Sequence, residues 1–475
     1  MIVVLSQGCA ANFGDGEKIA RILSQTSEVT FEFPEAKSAH SAKAENSTSA
    51  ANSENAASTS SRMPVDHAAS RKEKLEAFYL NVCTVKGNAG AMKLLRKVAS
   101  TYPSVPVYIT GCAPKDFREE ALRAAPHVQF TSLKELEASA SLQTQPAQSS
   151  QPSQNQSSAR TRNNDKENPD SNRIPHNILR ESPFVGIVNI EEGCLDACAF
   201  CSTHLVKGRL HSFAPNTIVD QVQALVDDGC LEIQLTGQDC ACYGFDIGTN
   251  LAELTQRILT HVNGNYRIRL GMGNPRHVLG YQEALLDCFT DDHIYKFIHI
   301  PVQSGSEHVL KAMNRRHTAR DYATLAHAFT ERFDNFTLST DLIVGYPSET
   351  AADFNDTLEL LKETRPTVCN ITRFVARPGT VAARLEASAA AIPDSIKHER
   401  SAILAETFQQ IALENNRKWI GNECIVVTEK PGYRSGTTIA RNEAYRPVAL
   451  QSTFPAGKTL HVRITDAEPF ALIAE

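Results

Sequence analysis

The sequence predicts an α/β chain in three ordered blocks, and three observations predict it. Strand-like runs of Val, Ile and Leu alternate with amphipathic helical stretches, first in a short series and then in a longer one, the pattern of parallel sheets flanked by helices. Two stretches, 36–72 and 139–176, are rich in Ser, Ala, Asn and Gln, with too few large apolar side chains to offset the entropy of ordering. The last sixty or so residues switch to short β-branched runs punctuated by Gly and Pro, the mark of a small antiparallel barrel.

The first block, 1–138, carries the strand candidates IVVLS, AFYLNV and VPVYIT between the helical patterns EKIARIL, AMKLLRKVAS and FREEALRAA. It reads as a parallel-sheet α/β domain with a disordered insertion at 36–72, and 139–182 reads as a disordered linker. The second block, 183–412, offers FVGIVNI, LEIQLT, YRIRLG, KFIHIPV, TLSTDLIVG and TVCNITRF, separated by helices such as TIVDQVQALVDDG and AADFNDTLELLKET. Six β-then-α units predict a whole or partial (β/α) barrel, with chemistry at the C-terminal strand ends. The third block, 413–475, supplies ECIVVTEK, TTIAR, RPVALQ and TLHVRITDAE.

At 475 residues with 41% hydrophobic and 21% charged side chains, the chain has a globular composition and room for several cores. A formal net charge of −6 excludes nucleic-acid binding driven by global charge, so any basic footprint is local. The opening MIVVLSQGCAANFGDGEKIARIL has no basic n-region and reads as strand, loop and helix, not as a signal peptide. No run of apolar residues is long enough to span a membrane. Twelve cysteines without an export signal imply a reducing, cytoplasmic setting, where clustered thiols favour metal binding.

The densest cluster is EEGCLDACAFCS, where Cys194, Cys198 and Cys201 stand as C-x3-C-x2-C just past FVGIVNI. Three thiolates so close repel one another without a cation, and iron accepts them. A 4Fe-4S cube held by three cysteines keeps one iron open. A structural zinc site wants four ligands, and His204 is the nearest fourth candidate, at no finger spacing. In the first block, Cys9 (QGCAANFGD), Cys83 (NVCTVKG) and Cys112 (ITGCAPKD) each follow a strand-like run. Three loops of one parallel sheet could converge at its C-terminal edge, although singly a cysteine is more often a small core residue.

C-x3-C-x2-C after the first strand of a βα barrel resembles the radical S-adenosylmethionine superfamily. The triplet GC-x2-N, N-x-C-T-V-K and T-G-C ahead of such a block is similar to the methylthiotransferase family, as are HIPVQSGSEHVLKAMNRRHT, STDLIVGYPSET and RFVARPGTVAARL. In NVCTVK, Val82 replaces the family's more usual Thr. TGQDCACYGFDIG and GMGNPRHVL look most like the archaeal and eukaryotic branch, which methylthiolates N6-threonylcarbamoyladenosine beside the tRNA anticodon.

The resemblance implies a central radical SAM barrel, a C-terminal TRAM domain that grips RNA, and two 4Fe-4S clusters, one on Cys194, Cys198 and Cys201 and an auxiliary one on Cys9, Cys83 and Cys112. It further implies that reductive cleavage of S-adenosylmethionine yields a radical that takes hydrogen from C2 of the adenine. The auxiliary cluster then delivers sulfur, and a second S-adenosylmethionine the methyl group. Its partners are tRNA, an electron donor such as a flavodoxin or ferredoxin, and a sulfur source.

By the same resemblance, Phe200, Gly237, Gln238, Asp239, Gly345, Pro347 and Glu349 are cofactor contacts. TGQD also reads as a plain βα turn with a helix cap, and Glu349 as an N-terminal helix charge. Arg315, Arg316 and His317 are either a contact to substrate phosphates or a solvated face. In 416–465, eight Lys/Arg face three Asp/Glu, with Trp419, Tyr433, Tyr445 and Phe454 interleaved. That mix suits RNA held through phosphates and splayed bases, and Arg417, Lys418, Arg434, Arg441 and Arg446 are the candidate contacts; the aromatics fit an ordinary barrel core as well. Cys230, Cys240, Cys242, Cys288, Cys369 and Cys424 have no ligand spacing and read as incidental. Three alternatives stay open at this point: another tRNA adenosine, a ribosomal-protein aspartate, and a non-catalytic iron–sulfur RNA-binding sensor.

Overall fold

The computed structural model describes residues 1–34, 75–83, 88–143 and 179–475. The expected disordered insertion at 36–72 falls wholly outside these residues, and so does most of the expected linker. Where the linker is described, its start is helical: the helix Leu133–Gln143 runs past position 139.

Five parallel strands form the first sheet: β1 (Ile2–Ser6), β2 (Val29–Thr30), β3 (Ala77–Cys83), β4 (Val107–Cys112) and β5 (Gln129–Phe130), in the order β2-β1-β3-β4-β5. β3 is buried along its whole length. That explains why AFYLNVC is apolar at every position but Asn81, whose buried amide donates to Asn12 O, as a strand covered on both faces requires. The two-residue edge strands β2 and β5 escaped the sequence reading because so short a run carries no period.

The next block holds six parallel strands in chain order: β6 (Val185–Asn189), then, after the short hairpin β7 (Glu191–Glu192) and β8 (His211–Ser212), β9 (Glu232–Thr236), β10 (Arg267–Leu270), β11 (Phe297–His299), β12 (Thr337–Val344) and β13 (Val368–Arg373). They pair as two three-stranded sheets, linked by a bridge between Ile268 and Ile294. One core fills the space between strands and helices, with Val188, Leu235, Ile268 and Leu338 from the strands and Phe289, Phe329 and Phe336 packed ring to ring at 5.4 Å. Truncating one such ring to alanine costs about 3–5 kcal/mol.

The last block closes into a barrel of five strands, β14 (Glu423–Pro431), β15 (Thr438–Asn442), β16 (Pro447–Leu450), β17 (Thr459–Glu468) and β18 (Ala471–Ala474). Closure removes the open edges of so small a sheet. The sequence reading found four of the strands. It missed β18, a four-residue run that pairs with both β16 and β17.

Two joints fix the blocks against one another. The helix Ala10–Leu23 packs on β1 and also on β6. Gly14 permits that approach, since a Cβ there would sit 2.9 Å from Ile187 Cγ2. Beside it Asp15 accepts from Asn189 Nδ2 at 2.8 Å and pairs with Lys207 at 3.0 Å, across a buried seam. At the other joint Tyr445 donates to Glu232 Oε1 at 2.9 Å, and Arg446, 5% exposed, reaches Thr337 Oγ1, Asn416 Oδ1 and Thr367 Oγ1. Among the described residues no helix is long and apolar enough to cross a membrane.

Candidate functional site

Two sets of cysteines assemble at strand ends, each by a different route. Cys9 caps the N-terminus of the helix Ala10–Leu23, while Cys83 and Cys112 are the last residues of β3 and β4 and lie directly opposite each other in register. The thiol of Cys83 touches both others. That contact is the main reason the Cys9 thiol is pushed up and the Cys112 thiol is pulled down, the latter also under the Lys207 ammonium. Gly8 makes the approach possible. Its φ is +116°, and a Cβ there would lie 2.2 Å from Cys83 Cβ.

The second set lies on the turn after β7. Its main chain is tied down from several loops: Gly193 N–H donates to Gln238 Oε1 at 2.6 Å, Ala199 N–H to Met313 O at 2.9 Å, and Asn314 Nδ2 to Ala197 O at 2.8 Å. Sulfur atoms receive donors as well. Asp196 N–H points at Cys194 Sγ (3.3 Å) and Arg315 Nη1 at Cys198 Sγ (3.6 Å). Burial pushes the Cys198 thiol up to about 11, against the pull of Arg315. Asp196, between the first two cysteines, accepts from Arg276 Nη1 at 2.6 Å and from Asn274 Nδ2, and His277 Nε2 stands 3.2 Å away. Burial alone would raise the Asp196 carboxyl; His277, Arg276 and Arg315 hold it below the ordinary aspartate range. The stretch GMGNPRHVL thus works as a clamp on the cysteine turn, a role its sequence did not reveal.

The expected cofactor contacts gather around that turn with one exception. Gly237 and Gln238 follow β9, and a Cβ at Gly237 would strike the Glu191 carboxylate at 2.5 Å. Asp239 is buried; its N–H donates to Glu191 Oε1 and its Oδ1 accepts from Asn274 N–H at 2.8 Å. Phe200 packs against the cluster of Val309, Met313, Tyr346 and Phe374. Gly345 and Pro347 form the turn after β12. Glu349 is the exception. Its carboxylate is buried: Oε2 accepts from Gly345 N–H (2.8 Å) and pairs with the Arg400 guanidinium, which fastens the turn, while Oε1 has no hydrogen-bond partner among the described residues.

The NRRH reading is corrected in the same way. Arg315 bonds to Pro301 O and Cys198, and His317 is buried, its ring pushed down to about 3 by burial and by Arg315; only Arg316 is a solvated charge. Of the five barrel residues expected to meet RNA, Arg417, Lys418 and Arg434 are exposed. Arg441 is taken up in a bidentate pair with Glu429 and stacks on Tyr445, and Arg446 is buried in the joint, so neither is free for phosphate. Tyr445 and Trp419 are likewise packed within the protein, whereas Tyr433 is 93% exposed at the β14–β15 turn.

A residue set aside in the sequence reading belongs to the site. Cys242 Sγ, Cys194 Sγ and an Asp239 carboxylate oxygen lie within 4.8 Å of one another. Cys242 follows TGQD on a short 3-10 turn. Spacing within one loop could not show that this turn folds back onto the other.

Each set suits an iron–sulfur cluster. Cys83 meets Cys9 and Cys112, Cys201 N–H donates to Cys198 O on the cysteine turn, and N–H and guanidinium donors already aim at sulfur where thiolate charge would sit. A family model, the Radical SAM superfamily, matches residues 188–361. This is a radical SAM protein, with S-adenosylmethionine and 4Fe-4S clusters as its cofactors. Among curated proteins, one from Archaeoglobus fulgidus named probable threonylcarbamoyladenosine tRNA methylthiotransferase is 42% identical over 297 residues, 62% of this chain and 68% of that protein. One from Methanothermobacter thermautotrophicus with the same name is 36% identical over 62% and 68% of the two chains. The human threonylcarbamoyladenosine tRNA methylthiotransferase is 33% identical over 61% of this chain and 49% of its own length. A solved radical S-adenosylmethionine methyltransferase, TsrM from Kitasatospora setae, matches with TM-score 0.47 and 13% identity over 66% and 65% of the two chains. The chain belongs to the threonylcarbamoyladenosine tRNA methylthiotransferase family.

Proposed function

We propose that this chain adds a methylthio group to C2 of N6-threonylcarbamoyladenosine beside the anticodon of tRNA. The single observation that carries the reading is the pair of three-thiol sets, one on a turn at the mouth of the radical SAM strands and one on a separate sheet joined to it by the Asp15–Lys207 seam. When bound, the clusters and S-adenosylmethionine supply the one-electron chemistry, the sulfur and the methyl group that an unactivated purine C–H demands.

The chain's own residues supply position. Cys194, Cys198 and Cys201 would hold the cluster with an open iron; Cys9, Cys83 and Cys112 would hold the second. The main chain of Gly237–Asp239, braced by Glu191 and Asn274, would hold the methionine end of the cofactor. The Gly345–Pro347 turn, locked by Glu349 and Arg400, shapes the adenine side.

We read the six-stranded array as the partial barrel of this class and the closed five-stranded barrel as its TRAM domain, with Arg417, Lys418, Arg434 and the projecting Tyr433 as its RNA-facing groups. An electron donor of the flavodoxin or ferredoxin kind, a sulfur source and a cytoplasmic setting complete the reading. The test is nucleoside mass spectrometry of tRNA from cells with and without this chain. Loss of the methylthio derivative, with threonylcarbamoyladenosine accumulating, is the expected result; persistence of the derivative overturns the assignment.

A further inference from the structure

Cys242 is held rigidly against a cluster ligand. Its turn is fixed by Cys240 N–H donating to Met272 O at 2.9 Å and by Tyr281 O–H donating to Ala241 O at 2.6 Å. The side chain is wholly buried, with Glu191 Oε2 at 3.6 Å on one side and the Cys194 thiol on the other. Cys242 gives its S–H to Glu191 Oε2, and its neighbour Cys240 gives its own to the Leu235 carbonyl.

We propose that Cys194 and Cys242 are a disulfide-forming pair that closes when the radical SAM cluster is lost to an oxidant and protects Cys194 until the cluster is rebuilt. Cys194 is part exposed and Cys242 is buried, so a small oxidant such as hydrogen peroxide meets Cys194 first. The Cys194 sulfur attacks the peroxide, the O–O bond breaks, one water leaves and a sulfenic acid remains. The adjacent Cys242 sulfur then displaces the hydroxyl. An S–S bond forms, the S–O bond breaks and a second water departs, so two thiols have lost two electrons and two protons to one peroxide. A dithiol reverses the step by exchange. Iron on Cys194 excludes the bond, so the pair responds to the emptied site. That clause rests on Cys194 being a cluster ligand; the pairing of the two thiols does not.

The test uses the full chain, purified anaerobically, with one portion stripped of iron by a chelator. Both portions are treated with hydrogen peroxide, alkylated, digested without reductant and read by mass spectrometry. The expected result is a Cys194–Cys242 linked peptide at once in the stripped portion and, in the loaded portion, only in step with iron release, with dithiothreitol restoring both thiols and iron uptake. In Cys242→Ala, Cys194 advances to sulfinic acid and iron uptake no longer recovers with dithiothreitol; Cys242→Ser, close in size, gives the same result should the alanine variant fold poorly. Cys194 linked instead to Cys198 or Cys201, or left as sulfinic acid beside an alkylated Cys242, overturns the proposal. A linked peptide in the loaded portion while its iron is fully retained upholds the pair and overturns the assignment of the cluster to Cys194.

Discussion

The two cysteine sets reach the same arrangement by opposite means. Cys194, Cys198 and Cys201 are neighbours in sequence, and their turn is held by Gln238, Asn274, Met313 and Asn314 from other loops. Cys9, Cys83 and Cys112 are far apart in sequence, and the parallel register of β3 and β4 with the helix start at Cys9 brings them together. A local motif needs the fold only to orient it; a dispersed one needs the fold to exist.

The largest effects separate the two sets directly. Cys198→Ala is expected to lower iron after anaerobic reconstitution from about eight to about four per chain and to abolish reductant-dependent 5′-deoxyadenosine release. Cys83→Ala should lose the same iron yet keep that release while losing methylthiolation. Equal loss of release in both variants would mean that the sets are not independent. Gly8→Ala sharpens the contrast, because its Cβ has no room beside Cys83; it should mimic Cys83→Ala in iron content with every cysteine retained.

A step smaller, the two kinds of arginine in the C-terminal barrel should part company. Arg446→Met leaves Asn416, Thr337 and Thr367 with fewer partners at a buried joint and should cost about 2–4 kcal/mol, read as a lower Tm. Arg434→Ala should leave Tm unchanged, weaken RNA binding and flatten its salt dependence by about one phosphate contact. The reverse pattern would return Arg446 to the RNA surface.

The last expected effect is a pH dependence. The His317 ring is held down to about 3, mainly by burial, below its unfolded value of about 6.5. The unfolded chain therefore binds the extra proton between these values. The contribution of His317 to stability is complete above about pH 6.5 and declines as pH falls toward 3. His317→Gln should flatten the fall of Tm between about pH 6.5 and 4; an unchanged slope would place the titration elsewhere.

The sequence alone determined the three blocks, all nine of the longer parallel strands being legible as apolar runs, and the C-x3-C-x2-C turn, because periodicity and short spacing are properties of neighbours along the chain. It also supplied the dispersed cysteines, but only as loop-end residues whose meeting a parallel sheet had to supply. Tertiary structure alone decided that Glu349, Arg441 and Arg446 serve internal ion pairs and joints, that Asp196 is clamped by Asn274 and Arg276, and that Cys242 lies against Cys194. A charged or sulfur-bearing side chain has the same identity on a surface and in a seam. Which of these it occupies is set by segments packed against it from elsewhere in the chain, and one residue's neighbours in sequence carry no record of them.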